Sequence, residues 1–459
     1  MKDDFLLTTP LAGKLFHECA EKLPVIDYHN HLNIRDFAKE KSYRNIAELW
    51  LLSDPYKHRA MRICGVAEKY ITGNAKEIDK FKAWMDVLPR LIGNPLYDWS
   101  ILEMKRVFEI ELKPGSTNAD YVWNQVNGRL SQPQYSAAGL LEQFNVEYAA
   151  PCAQLTDDIS EFGELKGLAP SLRGDNAADI TAETVRGLEQ IAGRPIKSLD
   201  DYFGEVSRRI SAFEQAGCRF SDHALDNGFV YYPDDGQNGK RFQEILKGET
   251  LEEEDKKRLA SGILRFLAGE YAARGWTMQL HIGAERFTSS RLRAIAGPAG
   301  GFAGIGNCCD VSSITRMLDD FEKNAAGMPE IILFTLNPAD NAVMSVLSGS
   351  YSQDGVVGKI QQGPAWWWCD HLYGMREVFE SISAFGVLSA FIGMTTDSRS
   401  ILSFVRHEYF RRALCGWIGE KASRGEMEAS EEALMRLVED VCYNNTKRRV
   451  FGNTSVFRT

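Results

Sequence analysis

No stretch of this sequence approaches the roughly 20 consecutive apolar residues that cross a bilayer as a helix, so a helical membrane protein is not expected. Positive charge is also in deficit. There are 53 Lys and Arg against 63 Asp and Glu, a formal net charge of −10. Nucleic-acid binders usually carry a basic patch or stripe, so that class is set aside too, although a few local arginines can still govern one pocket. The 9 cysteines include no CxxC pair. An odd count without metal or redox spacing reads as reduced thiols, and the opening MKDDFLLTTPLAGKLF lacks the basic start and long apolar core of a signal peptide. Both point to a cytoplasmic protein, with the adjacent Cys308 and Cys309 read as structural. Histidine is scarce as well, 8 in 459 residues, yet two of the eight stand one residue apart.

That pair lies in PVIDYHNHLN, residues 24–33. An apolar run without helical periodicity leads into it, which predicts a buried strand. In a strand, residues i and i+2 share a face, so His29 and His31 project together. Two adjacent imidazoles repel when charged and need donors when neutral. A divalent metal resolves that conflict, because neutral imidazole is a good ligand for zinc, iron or nickel. Taken alone, His-x-His is short and common, and one core histidine beside one loop histidine would explain it as well. Further ligands at equivalent places would shift the balance.

The chain suits a barrel of about 250 residues with insertions, or two to three ordinary domains. Its 44% apolar and 25% charged residues are ordinary for a globular protein. Eight short apolar runs read as buried strands: 24–32, 146–152, 167–173, 218–225, 277–283, 329–336, 359–368 and 388–397. Amphipathic helical stretches such as 201–216 and 257–274 separate most of them. Alternating strands and helices imply parallel βαβ units with right-handed crossovers, and eight of them imply an α/β fold of the (β/α)8 type. The first crossover is far too long for one helix. It holds helical patterns at 57–69 and 76–92 and aromatic stretches around Tyr97, Trp99, Tyr121 and Trp123. The expected organisation is therefore a barrel over 1–35 and 140–459, with a helical insertion over 36–139 packed across the barrel mouth.

In such barrels the chemistry sits at the C-terminal strand ends. Candidate residues recur there: His29 and His31, Arg173, Asp222 with His223, His281, Asn337, Trp366 to Trp368, and Asp397 to Arg399. Each has an ordinary explanation. Arg173 can pair with a nearby acid, Asp222 and Asp397 can cap helices, His281 can bond within the core, and the tryptophans can be wall packing. Jointly, several imidazoles and carboxylates at convergent positions favour a metal or acid–base site. His17, His371 and His407 fall in helical patterns beside charged neighbours and read as structural. His58 sits in DPYKHRAMR, where Tyr56 and Arg59 are placed to reach the mouth.

These motifs together resemble a known family. His-x-His on a first strand with an Asp after the eighth resembles the amidohydrolase superfamily of metal-dependent barrels. More narrowly, DYHNHL, DPYKHRAMR, LHIGA, LNPADN, GPAWWWCDHLYGM and TDSRSILSFVRHEYFRR resemble uronate isomerase, also called glucuronate isomerase. The likeness runs from about residue 5 to the C-terminus, and the last string is its most specific part. It implies interconversion of D-glucuronate with D-fructuronate and of D-galacturonate with D-tagaturonate. It implies one divalent metal ion, zinc first, held by His29, His31 and Asp397. It places Tyr56, His58, Arg59, Arg173, Trp366, Trp367 and Arg399 near the substrate, with Asp222 and His281 in the same pocket. The family lacks the carbamylated lysine and second metal of many relatives, and none of the eight expected strand ends shows a bridging lysine.

The implied chemistry suits these residue types. Aldose–ketose isomerisation moves a proton from C2 to C1 through an enediol, and a Lewis acid on the substrate oxygens stabilises the enediolate. The substrate carboxylate needs a cation, which Arg173 or Arg399 offers with bidentate geometry. Tyr56, Asp397 and a metal-bound hydroxide are all candidate bases, and a tyrosine base needs a lowered pKa, from Arg59 or the metal. Two other readings share the same ligands: a lactonase or deaminase of the superfamily, and a sugar-acid-binding module without turnover. A uronic acid is the expected small-molecule partner, with neither nucleic acid nor membrane; self-association is left open.

Overall fold

The computed structural model describes residues 2–113, 115 and 118–452. Seven parallel strands form one sheet in the order β1 (Val25–Asn30), β2 (Val146–Gln154), β3 (Ser171–Arg173), β4 (Phe220–Leu225), β5 (Thr277–Ile282), β6 (Glu330–Thr335) and β7 (Ile360–Gln362). Spatial order follows chain order, as expected when each strand is joined to the next by a helical crossover. The sheet is curled. The rings of His29 on β1 and His281 on β5 lie 4.7 Å apart, whereas four strand spacings on a flat sheet would separate them by roughly 19 Å.

The eighth expected strand, 388–397, is not one. Leu388–Ala390 is a 3-10 turn and the chain then runs extended without a ladder. Two left-handed residues interrupt it, Gly393 at φ 78° and Asp397 at φ 49°, and a regular ladder tolerates neither. Side-chain bonds and two isolated backbone bonds do the pairing instead. The amide of His29 donates to Thr395 Oγ1 at 2.8 Å, and that hydroxyl lies 2.8 Å from the His29 carbonyl. The amides of Asp397 and His31 donate to His29 O and Ser398 O at 3.0 and 2.8 Å. On the other side the Ile392 amide donates to Gln361 Oε1 of β7. Residues 392–398 thus bridge the two edge strands of the sheet.

The seventh expected strand, 359–368, is shortened to β7 because Pro364 has no N–H for a ladder and Trp366 to Trp368 turn away, Trp368 itself at φ 67°. The third, 167–173, shrinks to Ser171–Arg173, with Pro170 just before it.

Between β1 and β2 the chain is helical, including Pro55–Ile63, Glu77–Val87 and Pro95–Phe108. The first begins two residues before the expected 57–69 pattern. Pro55 occupies its first turn, and the Asp54 side chain accepts from the amides of Tyr56 and Lys57, a sound N-terminal cap. It stops at Cys64 because Gly65 takes φ 82°. Trp50, Trp84, Trp99 and Leu102 of this region pack in one apolar cluster with Tyr28, Phe334 and Trp366 of the sheet and its loops.

Candidate active site at the strand ends

Beneath the loops at the C-terminal strand ends lies a cavity of about 270 Å³. Its lining includes His29, His31, Tyr56, Arg173, Asp222, His281, Trp366, Trp367, Asp397 and Arg399. The alternation of β1 explains the first two, and places Asp27 on the same face one step deeper. Asp27 is fully buried and organises the far side of the site. Its carboxylate accepts from the Thr396 amide at 2.7 Å and from the hydroxyls of Thr395 and Thr396 at 3.1 and 2.9 Å, and His407 Nε2 lies 3.0 Å away. These bonds hold residues 395–396 against β1 and so deliver Asp397 to the cavity floor.

Asp397 Oδ1 lies 3.0 Å from His31 Nε2 and 3.3 Å from His29 Nε2, and Trp366 Nε1 donates to Oδ2 at 3.1 Å. The Asp397 carboxyl is held well below the usual range: burial opposes this, and the two imidazoles outweigh it. Burial lowers His31 and lowers His281 further, so both rings are neutral at pH 7. For His29 burial again works downward, while its contacts with Cys152 and Asp397 work in the opposite direction. His29, Asp222 and His281 each offer a ligand atom within 4.8 Å of the others, as do His29, His31 and Cys152. His281 Nε2 is buried without a hydrogen-bond partner. The buried trio His29, Asp222 and His281 could hold a metal ion: imidazole nitrogens, one of them without a partner among the described residues, and a carboxylate are a donor set that a divalent cation completes.

Tyr56 departs from expectation. Its hydroxyl donates to Asp370 Oδ2 at 2.9 Å, and Arg406 Nη1 donates to the same oxygen at 3.2 Å. Burial, and then Asp370, push the Tyr56 phenol well above its ordinary pKa, so the expected lowering by Arg59 does not occur. Arg59 lies elsewhere, over the Trp368 ring at 4.6 Å and donating to Ala303 O at 3.3 Å. It supports the wall and is not among the lining residues. Nor is His58. Two residues past Tyr56, it is turned roughly 200° about the helix axis, and it is buried with Nε2 unpartnered.

The cationic side is richer than expected. Arg286 and Arg293 join Arg173 and Arg399 in the lining. Arg173 donates to Asp175 at 3.1 Å and lies 3.9 Å from Asp222. Arg286 donates to both oxygens of Asp226 at 2.8 Å. Among the described residues Arg399 has no ion-pair partner, and Arg293 only caps the Phe287 ring at 3.9 Å. The segment carrying Arg286 and Arg293 rests on the Pro55–Ile63 helix. Gly301, at φ 78°, sits so close that a Cβ there would lie 2.2 Å from the Pro55 carbonyl, while Arg62 donates to Gly300 O and Trp368 Nε1 to Ala303 O.

Sequence reasoning missed Asp370, Cys152, Arg286 and Arg293. Asp370 stands two residues after the tryptophans, inside a string already singled out. Cys152 ends the second expected strand, whose terminus the same strand-end rule would have flagged. The two arginines follow β5 by a loop's length.

The sequence matches the glucuronate isomerase family over residues 1–450. It is 39% identical over 457 residues to a uronate isomerase of Bacillus licheniformis, covering 97% of this chain and 96% of that protein. To a uronate isomerase of Salmonella paratyphi B it is 38% identical, covering 98% of each. Among solved structures, uronate isomerase from Thermotoga maritima superimposes with a TM-score of 0.90 at 28% identity, over 98% of this chain and 99% of that one.

Proposed function

The chain belongs to the glucuronate isomerase family and is a uronate isomerase, and from that premise we propose how its strand-end cavity performs the reaction. On this reading the seven strands and the 392–398 segment are the eight positions of a (β/α)8 barrel over 1–35 and 140–459. Residues 36–139 are then a helical insertion that brings Tyr56 to the mouth. Residues 1, 114, 116, 117 and 453–459 lie outside the described part of that division.

His29, His31 and Asp397 would hold one divalent cation, zinc being the best match to two imidazole nitrogens and a carboxylate oxygen. Asp222 and His281 stand beside them. When bound, such an ion would supply Lewis-acid stabilisation of the negative charge that develops on the substrate oxygens during isomerisation. Arg399, exposed and without a carboxylate partner among the described residues, receives the C6 carboxylate. Arg173 is already shared between Asp175 and Asp222, so it shapes the pocket and adds a second, weaker attraction. Trp366 and Trp367 form the apolar wall.

The proton is moved by Tyr56 and Asp370 acting together. The phenol is too weak an acid to wait as a phenolate. As its oxygen takes the C2 proton, its own proton passes to Asp370 Oδ2 along the existing 2.9 Å hydrogen bond. Asp370 suits that task, because burial raises its carboxyl above the ordinary range despite Arg406. Reversal of the same relay delivers the proton to C1, while the O2 hydroxyl proton passes to O1, so that C2 becomes the carbonyl and C1 the alcohol. The observation that carries the reading is the placement of Tyr56, hydrogen-bonded to Asp370 behind it, in one cavity with the converging imidazoles and Arg399, which has no ion-pair partner among the described residues. Incubation of the metal-loaded protein with D-glucuronate and with D-galacturonate, each followed by NMR, tests it. Ketose should form from each, and no conversion of either would refute the assignment.

A further inference from the structure

The two nitrogens of His29 face different partners. Nε2 points to Asp397, and Nδ1 lies 3.5 Å from Cys152 Sγ on β2. The same sulfur lies 3.4 Å from Asp222 Oδ1 on β4, with the thiol as donor. The second contact reaches across β3, and together the two place the thiol between a histidine and a carboxylate of the cavity floor.

We propose that Cys152 is a positioning residue for the metal: its sulfur accepts Nδ1–H of His29 while its S–H donates to Asp222, which fixes the tautomer that leaves the Nε2 lone pair directed at the ion. Metal-binding histidines usually donate their second nitrogen to a carboxylate, a carbonyl or water, and that partner fixes ring orientation and tautomer. Here a thiol fills the place, and it has a second consequence. One sulfur ties His29 to Asp222, so β1 and β4 present their side chains to the cavity as a unit. The thiol is held by the outer nitrogen of His29, on the side away from Asp397, and is not itself a ligand.

This inference rests on the ligand set proposed above, and its test separates the two. Zinc affinity is measured by competition with a chromophoric chelator for the wild type, Cys152→Ser and Cys152→Val. Serine keeps a group that both accepts and donates, whereas valine fills the space without one. The expected result is weakening of about 10- to 100-fold for valine and of no more than about fivefold for serine. Equal affinity in all three, or retention by valine and loss by serine, would overturn the role of Cys152 and leave the ligand set standing. Absence of a tight site in the wild type would overturn both. Cobalt-loaded wild type provides the second readout. Visible d–d bands without strong near-ultraviolet sulfur-to-cobalt absorption are expected; strong absorption that disappears in Cys152→Ser would make the sulfur a direct ligand and contradict the proposal.

Discussion

The floor and the side wall of the cavity are both buried and both charged, yet they are satisfied in opposite ways. On the wall, Asp370 Oδ2 accepts from both Tyr56 and Arg406, at 2.9 and 3.2 Å, and Arg406 stacks over the Tyr56 ring at 4.7 Å, so that among the described residues only Arg406 Nε of this group lacks a partner. On the floor, two imidazoles crowd one carboxylate oxygen while His281 Nε2 has no partner. Groups of opposite charge that bond to one another hold their own geometry, whereas imidazoles crowded on one carboxylate oxygen are shaped for what they bind. The floor is thus read as the ion site and the wall as the proton carrier.

Breaking the floor should have the largest effect. His29→Ala and Asp397→Ala are each expected to lose bound metal and to lower kcat/KM by at least about 10³-fold. Elemental analysis alongside turnover checks this, and full metal occupancy in Asp397→Ala would show that the ligand set is wrong. Breaking the wall should leave metal content intact. Tyr56→Phe is expected to cut kcat by about 10²- to 10⁴-fold with little change in KM. Asp370→Asn should behave alike, since an amide still accepts the phenol hydrogen bond but cannot take its proton. A variant at Asp370 that keeps half the wild-type turnover would remove it from the relay.

Arg399→Met touches neither network and should raise KM for uronates by roughly 30-fold, about 2 kcal/mol, with kcat nearly unchanged. Equal turnover of glucose and glucuronate by the wild type would contradict the carboxylate clamp. His58→Gln is the smallest perturbation of activity, expected within about twofold of wild type. Burial, opposed by Asp54 and assisted by Arg62, lowers His58 to about 4, and Glu68 also faces it. Because its folded-state pKa lies below its unfolded value, the stability it contributes is complete above pH 6.5 and is lost as the pH falls toward 4. Denaturant titrations at pH 7 and pH 4.5 should show a smaller acid loss in the variant, by up to about 3 kcal/mol. An unchanged acid loss would mean that His58 does not titrate in this way.

The floor was largely legible in the sequence, because period-two alternation and the strand-end rule are local properties: His29, His31, Asp222 and His281 all line one cavity. The wall was not. Tyr56 meets Asp370 across more than 300 positions of chain, and no periodicity announces such a pairing. The clearest misreading of an element, 388–397, has a similar origin. Its apolar run looks like a buried strand, but Gly393 and Asp397 adopt left-handed backbone, and hydroxyls of Thr395 and Thr396 bond in place of a ladder. His58 was misplaced because a helix separates residues i and i+2 by most of a half-turn, a fact that a motif read as a string conceals.

The central claim is that Tyr56 and Asp370 carry a proton from C2 to C1 above the metal floor. Its most direct test is isomerisation of unlabelled D-glucuronate in deuterated water, with the early ketose product examined by NMR. A relay that passes its proton to a carboxylate exchanges part of it with solvent, so detectable deuterium at C1 is the predicted result, and Tyr56→Phe should form almost no product over the same interval. Repeated absence of deuterium at C1, with C2-deuterated substrate delivering its label wholly to C1, would instead show direct hydride transfer and contradict the account.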